Sequence, residues 1–193
     1  MEKSKRRIAI FASGSGSNAQ KIFEYFSESE IAEVACVLTN KADAYVIERA
    51  RNFNIPVMVF SRKDCYESDK VLNYLKAHKI DLIVLAGFLW LVPHNIIEAF
   101  PDRIVNIHPA LLPKYGGKGM YGSFVHTAVI ENKEKESGIT IHFANQNFDE
   151  GGIILQEKCL VEEGDTCETL ARKIQKLEHE FYPKVIENII KNI

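Results

Sequence analysis

The sequence predicts an α/β protein with a doubly wound, mostly parallel central sheet of about seven strands and helices on both faces. Apolar runs of strand length alternate with helical stretches up to residue 107, which is typical of right-handed βαβ units. The run at residues 81–86 is almost continuously apolar, as in strands that are covered on both faces. Residues 138–160 contain two strand-like segments around a tight polar turn, so we expect the sheet to become antiparallel toward its C-terminal part.

The individual elements follow from the periodicity of apolar residues along the chain. We predict strands at residues 7–12, 34–39, 55–60, 81–86, 104–107, 138–144 and 153–160. We predict helices from residue 19 onward, at residues 45–54, 64–79, 93–100 and 124–131, and after a cap at Asp165 or Thr166. Residues 109–123 form a long glycine-rich connection, and such loops inside a compact domain are usually functional or mobile.

The composition limits the classes of function. A length of 193 residues favours a single domain, which we expect over residues 1–193. Hydrophobic residues make up 46% of the chain, which is enough to form a core. A formal net charge of −2 offers no basic surface for nucleic acid. The apolar run at residues 8–12 is too short for a signal peptide or a membrane span, which predicts a cytoplasmic protein. The four cysteines have neither Cys-x-x-Cys nor zinc spacing, so we expect no metal.

A glycine-rich segment, SGSGSN at residues 13–18, joins the first strand to the first helix. Such a turn presents backbone N–H groups and the positive end of a helix to an anion, and we interpret it as a phosphate site. The alternative is an ordinary tight turn. No Gly-Lys-Ser/Thr follows, and Ala19 stands where a dinucleotide fingerprint has its third glycine, which disfavours NAD without excluding it.

Asn106 and His108 lie two residues apart at the end of the fifth strand. They therefore point to the same face, at the sheet edge where α/β proteins bind ligands. They are either a polar strand end or a catalytic pair, in which the amide donates to a polarised carbonyl and the imidazole, with an unperturbed pKa of about 6.5, moves protons. Asp149 either bonds its own turn or reaches His108, where it would orient the ring and raise its pKa.

An amide, a histidine, a carboxylate and an anion loop suit acyl transfer to an amine. No serine or cysteine stands beside His108, which favours direct transfer between two bound substrates over a covalent enzyme intermediate. His142 on the sixth strand is most simply a structural histidine. Glu178 on the last helix is either part of a solvated face or a contact for a substrate hydroxyl or amine. Trp90, the only tryptophan, either packs in the core or lines a pocket for a flat ring.

Eight short motifs extend this interpretation. They are SGSGSN at 13–18, NKADA at 40–44, ERA at 48–50, VLAGF at 84–88, NIHPALLPKY at 106–115, DEGG at 149–152, EH at 178–179 and YP at 182–183. With these motifs the chain resembles, from residue 8 to 190, the phosphoribosylglycinamide formyltransferase family, the folate-dependent enzymes of purine synthesis. The Asn-x-His-Pro element with a later Asp marks formyl-folate transferases in general, whereas the glycine-rich start and Leu-Leu-Pro-Lys-Tyr are more specific to this family.

The resemblance implies a reaction and the residues that carry it out. It implies formyl transfer from 10-formyltetrahydrofolate, as co-substrate, to the amino group of glycinamide ribonucleotide. The catalytic set would be Asn106, His108 and Asp149. The ribonucleotide would be held by Gly16, Ser17 and Asn18 at its phosphate, and by Glu178. The folate site would consist of Leu89, Trp90, Leu91, Val92 and Asn106, the turn at 145–149 and, near the folate tail, Lys63 or Arg62.

Two features depart from the family pattern. Trp90 stands where well-known relatives often carry arginine, so the contacts to folate are expected to differ there. The stretch GGKGMYG at residues 116–122 is longer than the common form, so the loop is expected to close differently over the substrates.

Three other interpretations remain open. Another formyl-folate enzyme would carry a further domain, C-terminal in methionyl-tRNA formyltransferase and N-terminal in formyltetrahydrofolate deformylase. A nicotinamide dehydrogenase would need an acidic residue where Thr39 and Asn40 end the second strand. A non-catalytic nucleotide-binding module would leave Asn106, His108 and Asp149 without a role. In each case we expect small-molecule partners, no nucleic acid or membrane, and a monomer or homodimer.

Overall fold

The computed structural model describes residues 5–193, in which strands and helices alternate along the chain. The strands are β1 (Arg6–Phe11), β2 (Ala32–Thr39), β3 (Val57–Val59), β4 (Leu82–Leu85), β5 (Ile104–His108), β6 (Glu136–Phe143) and β7 (Ile153–Leu160). The helices are α1 (Ser17–Phe26), α2 (Val46–Asn52), α3 (Arg62–Tyr66), α4 (Lys70–Ala77), α5 (His94–Ala99), α6 (Ser123–Glu131) and α7 (Cys167–Lys191).

All seven strands form one sheet in the order β3-β2-β1-β4-β5-β6-β7. Strands β1 to β5 pair in parallel, whereas β6 is antiparallel to both β5 and β7. The predicted fold class is confirmed, including the change to antiparallel pairing. After β1 the chain winds to one side through β2 and β3, and it then crosses back to place β4 on the other side of β1. Connections that diverge in this way open a crevice at the carboxyl ends of β1 and β4.

The core consists of an apolar layer on each face of the sheet. Because successive strand residues point to opposite faces, Ile8 and Ile10 of β1 belong to one layer and Ala9 and Phe11 to the other. Helices α1, α2, α6 and α7 cover the first layer, and α3, α4 and α5 cover the second. The sheet is therefore covered on both faces, which explains the apolar run in β4.

The single helix predicted at residues 64–79 is wrong, since the structure has two helices there, α3 and α4. Ser61 starts α3 with a capping box, in which its Oγ accepts from the Asp64 N–H at 3.1 Å and the Asp64 carboxylate accepts from the Ser61 N–H at 2.8 Å. The hydroxyl of Ser68 donates to the Asp64 carbonyl and accepts from the Lys70 N–H. A serine side chain that bonds nearby backbone in this way competes with the helix, which therefore ends and starts again.

Helix α7 fixes the strand ends at which the crevice opens. The buried hydroxyl of Tyr182 lies 3.0 Å from the carbonyls of both Leu85 on β4 and Val105 on β5. These two carbonyls directly precede the segments that carry Gly87 and Asn106, so α7 sets the spacing of two walls of the crevice. Among residues 5–193, no helix is both long and apolar enough to cross a bilayer.

Candidate active site

A cavity of about 990 Å³ lies at the carboxyl ends of β1, β4 and β5, as the sheet topology requires. Its lining combines the anion loop, which we define as residues 13–18, with the ledge at residues 88–92 and the glycine-rich loop at residues 117–122. The ends of β5 and β6 and the turn at residues 144–149 complete the wall. Segments that are far apart in the sequence therefore meet around a single cavity.

The anion loop has the geometry of an anion site. Gly16 is the N-cap of α1 with φ 71°, a conformation that glycine adopts without strain, and no side chain caps the helix. Within residues 5–193, no acceptor pairs with the backbone N–H groups of Gly14, Ser15 or Gly16. Unpaired N–H groups at the positive end of a helix attract an anion. The predicted residues Gly16, Ser17 and Asn18 all line the cavity.

Glu178 of α7 lies beside this loop and also lines the cavity. Its Oε2 accepts a hydrogen bond of 3.0 Å from the Asn18 amide. Burial raises the pKa of Glu178 to about 7, and the Asn18 hydrogen bond only partly opposes this. The interpretation of Glu178 as part of a solvated helix face is therefore excluded. Its carboxyl group faces the space beside the anion loop.

We expect the Glu178→Gln variant to be more stable than the wild type at pH 8, by a margin that shrinks as the pH falls. The folded protein holds this proton up to a pKa of about 7, whereas the usual value is 4.5. Between these values the folded state binds more protons than the unfolded state, so stability is lost as the pH rises. Chemical denaturation from pH 4.5 to 8 measures the effect.

Glu180→Gln is the matched control, because Glu180 lies on the same helix but is exposed and pairs with Lys184 at 3.2 Å. Its stability relative to the wild type should not show the growing difference above pH 4.5. A constant difference for Glu178→Gln across the same range would contradict a buried carboxyl at this position.

Asn106, His108 and Asp149 converge on one point of the cavity wall. His108 Nδ1 lies 3.4 Å from Asp149 Oδ2, and Asn106 Nδ2 lies 3.4 Å from Asp149 Oδ1. Asp149 adopts φ 58°, which turns the chain so that its carboxylate enters the site. Of the two interpretations of Asp149, the structure has the one in which it reaches His108. It also accepts a 2.9 Å hydrogen bond from the Gly117 N–H, which links it to the glycine-rich loop.

His142 is a member of this cluster that the sequence interpretation treated as structural. It pairs with Asn106 across the β5–β6 ladder, and its Nε2 lies 3.1 Å from Asn106 Nδ2 and 3.6 Å from Asp149 Oδ1. Because its Nδ1 donates to the Phe143 carbonyl at 2.8 Å, the neutral ring has an unprotonated Nε2, which accepts from Asn106. His142 therefore orients the Asn106 amide. The alternation of apolar and polar residues along β6 was the sequence signal available for this role of His142, since it placed His142 on the same face as Thr140.

Asp149 acts on the pKa of His108 in the predicted direction, but another influence outweighs it. Burial of the ring is the largest influence and lowers the pKa of His108, although the Asp149 carboxylate and the Tyr115 carbonyl both act to raise it. Burial also acts to raise the pKa of Asp149, but the neighbouring imidazoles of His142 and His108 and the Gly117 N–H outweigh it and lower that pKa. At neutral pH a carboxylate therefore faces a neutral imidazole.

Each ring nitrogen of His108 faces an oxygen atom. Nε2 donates to the Tyr115 carbonyl at 2.8 Å, so in the neutral ring the lone pair is on Nδ1, which faces Asp149. A second proton on the ring would lie between Nδ1 and the carboxylate. The geometry thus provides a stabilised position for a proton that His108 takes up.

Aromatic side chains line the part of the cavity away from the anion loop. Residues 88–92, which include the predicted Leu89, Trp90, Leu91 and Val92, line it. The Trp90 ring centroid lies 6.1 Å from that of Phe60 and 6.0 Å from that of Tyr66, and the Tyr66 hydroxyl donates to the Leu91 carbonyl at 2.7 Å. Trp90 is thus a wall of the pocket and not a residue of the deep core.

The structure places Arg62, and not Lys63, at this cavity. The Arg62 Cζ lies 5.0 Å from the Tyr66 ring centroid and 5.7 Å from that of Trp90. Consecutive helix residues point about 100° apart, so α3 can direct only one of the two toward the ledge. Of the two basic residues predicted near the folate tail, Arg62 therefore lines the cavity and Lys63 does not.

His126 and Lys41 are among the cavity residues to which the sequence analysis assigned no role. His126 of α6 is buried, and its Nδ1 has no hydrogen-bond partner within residues 5–193. Burial is the main influence that lowers the pKa of His126. Lys41, in the loop after β2, brings a positive charge to the same wall as the anion loop. His126 stands in no local pattern that indicates a cavity, whereas Lys41 lies in the NKADA motif at residues 40–44. In the part of the chain that the structure describes, no cluster of His, Cys, Asp or Glu is arranged to hold a metal ion.

A family profile described as "Formyl transferase" matches residues 6–186, and the chain belongs to that family.

Particular relatives narrow the comparison. The chain is 42% identical over 191 residues to a chloroplastic phosphoribosylglycinamide formyltransferase of Arabidopsis thaliana. The aligned region covers 96% of this chain and 65% of that relative. It is 37% identical to the phosphoribosylglycinamide formyltransferase of Bacillus subtilis, with 96% of this chain and 95% of the relative covered. The crystal structure of glycinamide ribonucleotide transformylase 1 from Symbiobacterium toebii superposes with a TM-score of 0.89 at 37% identity, covering 97% of this chain and 89% of the other.

Proposed function

We propose that this protein transfers the formyl group of 10-formyltetrahydrofolate to the amino group of glycinamide ribonucleotide in purine synthesis. The observation that carries the proposal is the convergence of Asn106, His108 and Asp149 between an anion loop and an aromatic pocket. The relatives named phosphoribosylglycinamide formyltransferase support it. We further propose that residues 1–193 form one formyltransferase domain, cytoplasmic and either monomeric or homodimeric.

The ribonucleotide would occupy the end of the cavity beside α1. Its phosphate would accept from the unpaired N–H groups of the anion loop, including that of Gly16, with Ser17 and Asn18 beside them. Glu178, held 3.0 Å from the Asn18 amide, would accept from a ribose hydroxyl or from the amine. The amine would then extend along the cavity toward His108.

The folate would occupy the other end. Its flat pteridine ring suits a pocket bounded by the ledge at residues 88–92, where apolar side chains and backbone groups face the cavity. Trp90, which stands in place of an arginine, offers an aromatic face to the benzoyl group. Arg62 lies over the Trp90 ring at 5.7 Å and would pair with a carboxylate of the tail.

The reaction would proceed by direct attack. The amine nitrogen forms a bond to the formyl carbon, the formyl oxygen takes up negative charge, and the bond from carbon to N10 of the folate then breaks. The attacking nitrogen loses one proton and N10 gains one. Asn106 would stabilise the oxyanion, because its second amide proton makes only a long 3.4 Å contact with Asp149.

His108 would move the proton. For Nε2 to reach the substrate, it must exchange the Tyr115 carbonyl for the formyl oxygen or the amine. Tyr115 directly precedes the glycine-rich loop, so a shift of that loop would free the ring. With Nε2 released, the proton of the neutral ring would sit on Nδ1, held by Asp149, which is ionised because its pKa is lowered. Nε2 would then accept the proton that the amine loses and pass it to N10.

The test is an assay of the purified full-length protein with both substrates. We expect formylated ribonucleotide and tetrahydrofolate to form with a chelator present and without ATP or NAD. Thermal unfolding establishes that the sample is folded. No turnover by folded protein would exclude the proposed reaction.

A further inference from the structure

The anion loop is held in place by contacts from outside the cavity. The Val46 N–H, at the start of α2, donates to the Gly14 carbonyl at 3.2 Å. A Cβ atom on Gly16 would lie 2.6 Å from Val46 Cγ2, so α2 packs directly against the loop. The shape of the loop therefore depends on a helix that contributes no N–H group to the phosphate.

Arg49, one turn further along α2, makes the second contact. Its Nε donates to the Ser15 carbonyl at 2.8 Å, and its Nη1 donates to Gln20 Oε1 of α1 at 3.2 Å. The Tyr45 ring lies beneath the guanidinium, with its centroid 5.0 Å from Cζ. Arg49 is half-buried and does not line the cavity. It thus bridges α2, the anion loop and the first helix.

These contacts orient the N–H groups that face the cavity. In a planar trans peptide the carbonyl and the N–H of the next residue point in opposite directions. Because Arg49 holds the Ser15 carbonyl on the outer side, the Gly16 N–H of the same peptide points inward. The Gly14 carbonyl, held by Val46, orients the Ser15 N–H in the same way.

We propose that Arg49 is a positioning residue for the phosphate of the ribonucleotide substrate, acting through the Ser15–Gly16 peptide. The inference rests on the proposed function for the identity of that substrate. Arg49 does not touch the folate end of the cavity. Loss of the Arg49 side chain should therefore weaken the binding of the ribonucleotide and leave the binding of the folate unchanged.

The test compares Arg49→Met, which keeps the aliphatic stem, with Arg49→Lys and with a control, Arg51→Met. Arg51 lies on the same helix but is exposed and pairs with Glu48. We expect Arg49→Met to raise the KM for glycinamide ribonucleotide about tenfold, the equivalent of one charged hydrogen bond, and to leave kcat and the KM for 10-formyltetrahydrofolate unchanged. Arg49→Lys should restore part of the loss, and Arg51→Met should match the wild type.

Inorganic phosphate provides a readout that does not depend on turnover. Its dissociation constant, from calorimetric titration, should rise by the same factor in Arg49→Met. An unchanged KM and phosphate affinity would overturn the inference, as would a fall in kcat and a rise in both KM values together with a lower unfolding midpoint. If the wild type binds phosphate but does not turn over, the proposed function fails while the phosphate titration still decides the role of Arg49. If the wild type neither binds phosphate nor turns over, both fail.

Discussion

The His108→Ala variant is expected to lose about 100- to 10,000-fold in kcat while its affinity for glycinamide ribonucleotide stays close to that of the wild type. In the proposed mechanism the ring takes up a proton beside Asp149, at 3.4 Å, whereas the neighbouring His142 uses its Nε2 to accept from Asn106. The anion loop and Glu178 lie at another part of the cavity and are not altered. Steady-state kinetics and calorimetric titration of the ribonucleotide separate the two effects.

His94→Ala is the control for the loss of a histidine. His94 is exposed on α5 and contacts Glu98 at 3.1 Å, away from the cavity of the candidate site. Its kcat should equal that of the wild type. A His108→Ala enzyme with unchanged kcat would show that the imidazole has no part in the chemistry.

The Asp149→Asn variant is expected to lose kcat on the order of 100-fold or more, again with ribonucleotide binding retained. The substitution removes the charge that stabilises a protonated His108 and keeps the size of the side chain. Asparagine also adopts a positive φ readily, so the backbone at φ 58° is preserved. The kcat and the ribonucleotide affinity of this variant, measured with its far-ultraviolet spectrum, test the role of the charge.

Glu150→Gln is the matched control in the same turn. Glu150 is exposed, accepts from the Asn147 amide at 2.7 Å and does not line the cavity. Its removal should leave both kinetic constants unchanged. Equal losses in Glu150→Gln and Asp149→Asn would mean that the turn needs net charge and that Asp149 has no specific role.

The sequence predicted those parts of the site that short-range geometry determines. Asn106 and His108 share a face because strand residues two apart always do. The anion loop was predictable because a strand, a glycine-rich turn and a helix follow each other directly. The sheet and its antiparallel end followed from apolar runs and turn lengths.

The remaining features depend on packing between distant segments. The contact of His142 with Asn106 is set by the register of β5 and β6, which no local pattern encodes. The pKa of His108 depends on how completely the ring is buried, and this burial outweighs the upward effect of Asp149 that the sequence predicted. Whether Arg62 or Lys63 faces the folate end depends on the start of α3, which Ser61 fixes.

The most direct test of direct formyl transfer follows an isotopic label from the formyl carbon of 10-formyltetrahydrofolate. With both substrates present, we expect the label to appear in the ribonucleotide in a one-to-one ratio with tetrahydrofolate, and we expect protein trapped by acid during turnover to carry none. Label released as formate would indicate hydrolysis in place of transfer, and label retained on the protein would contradict direct attack by the amine.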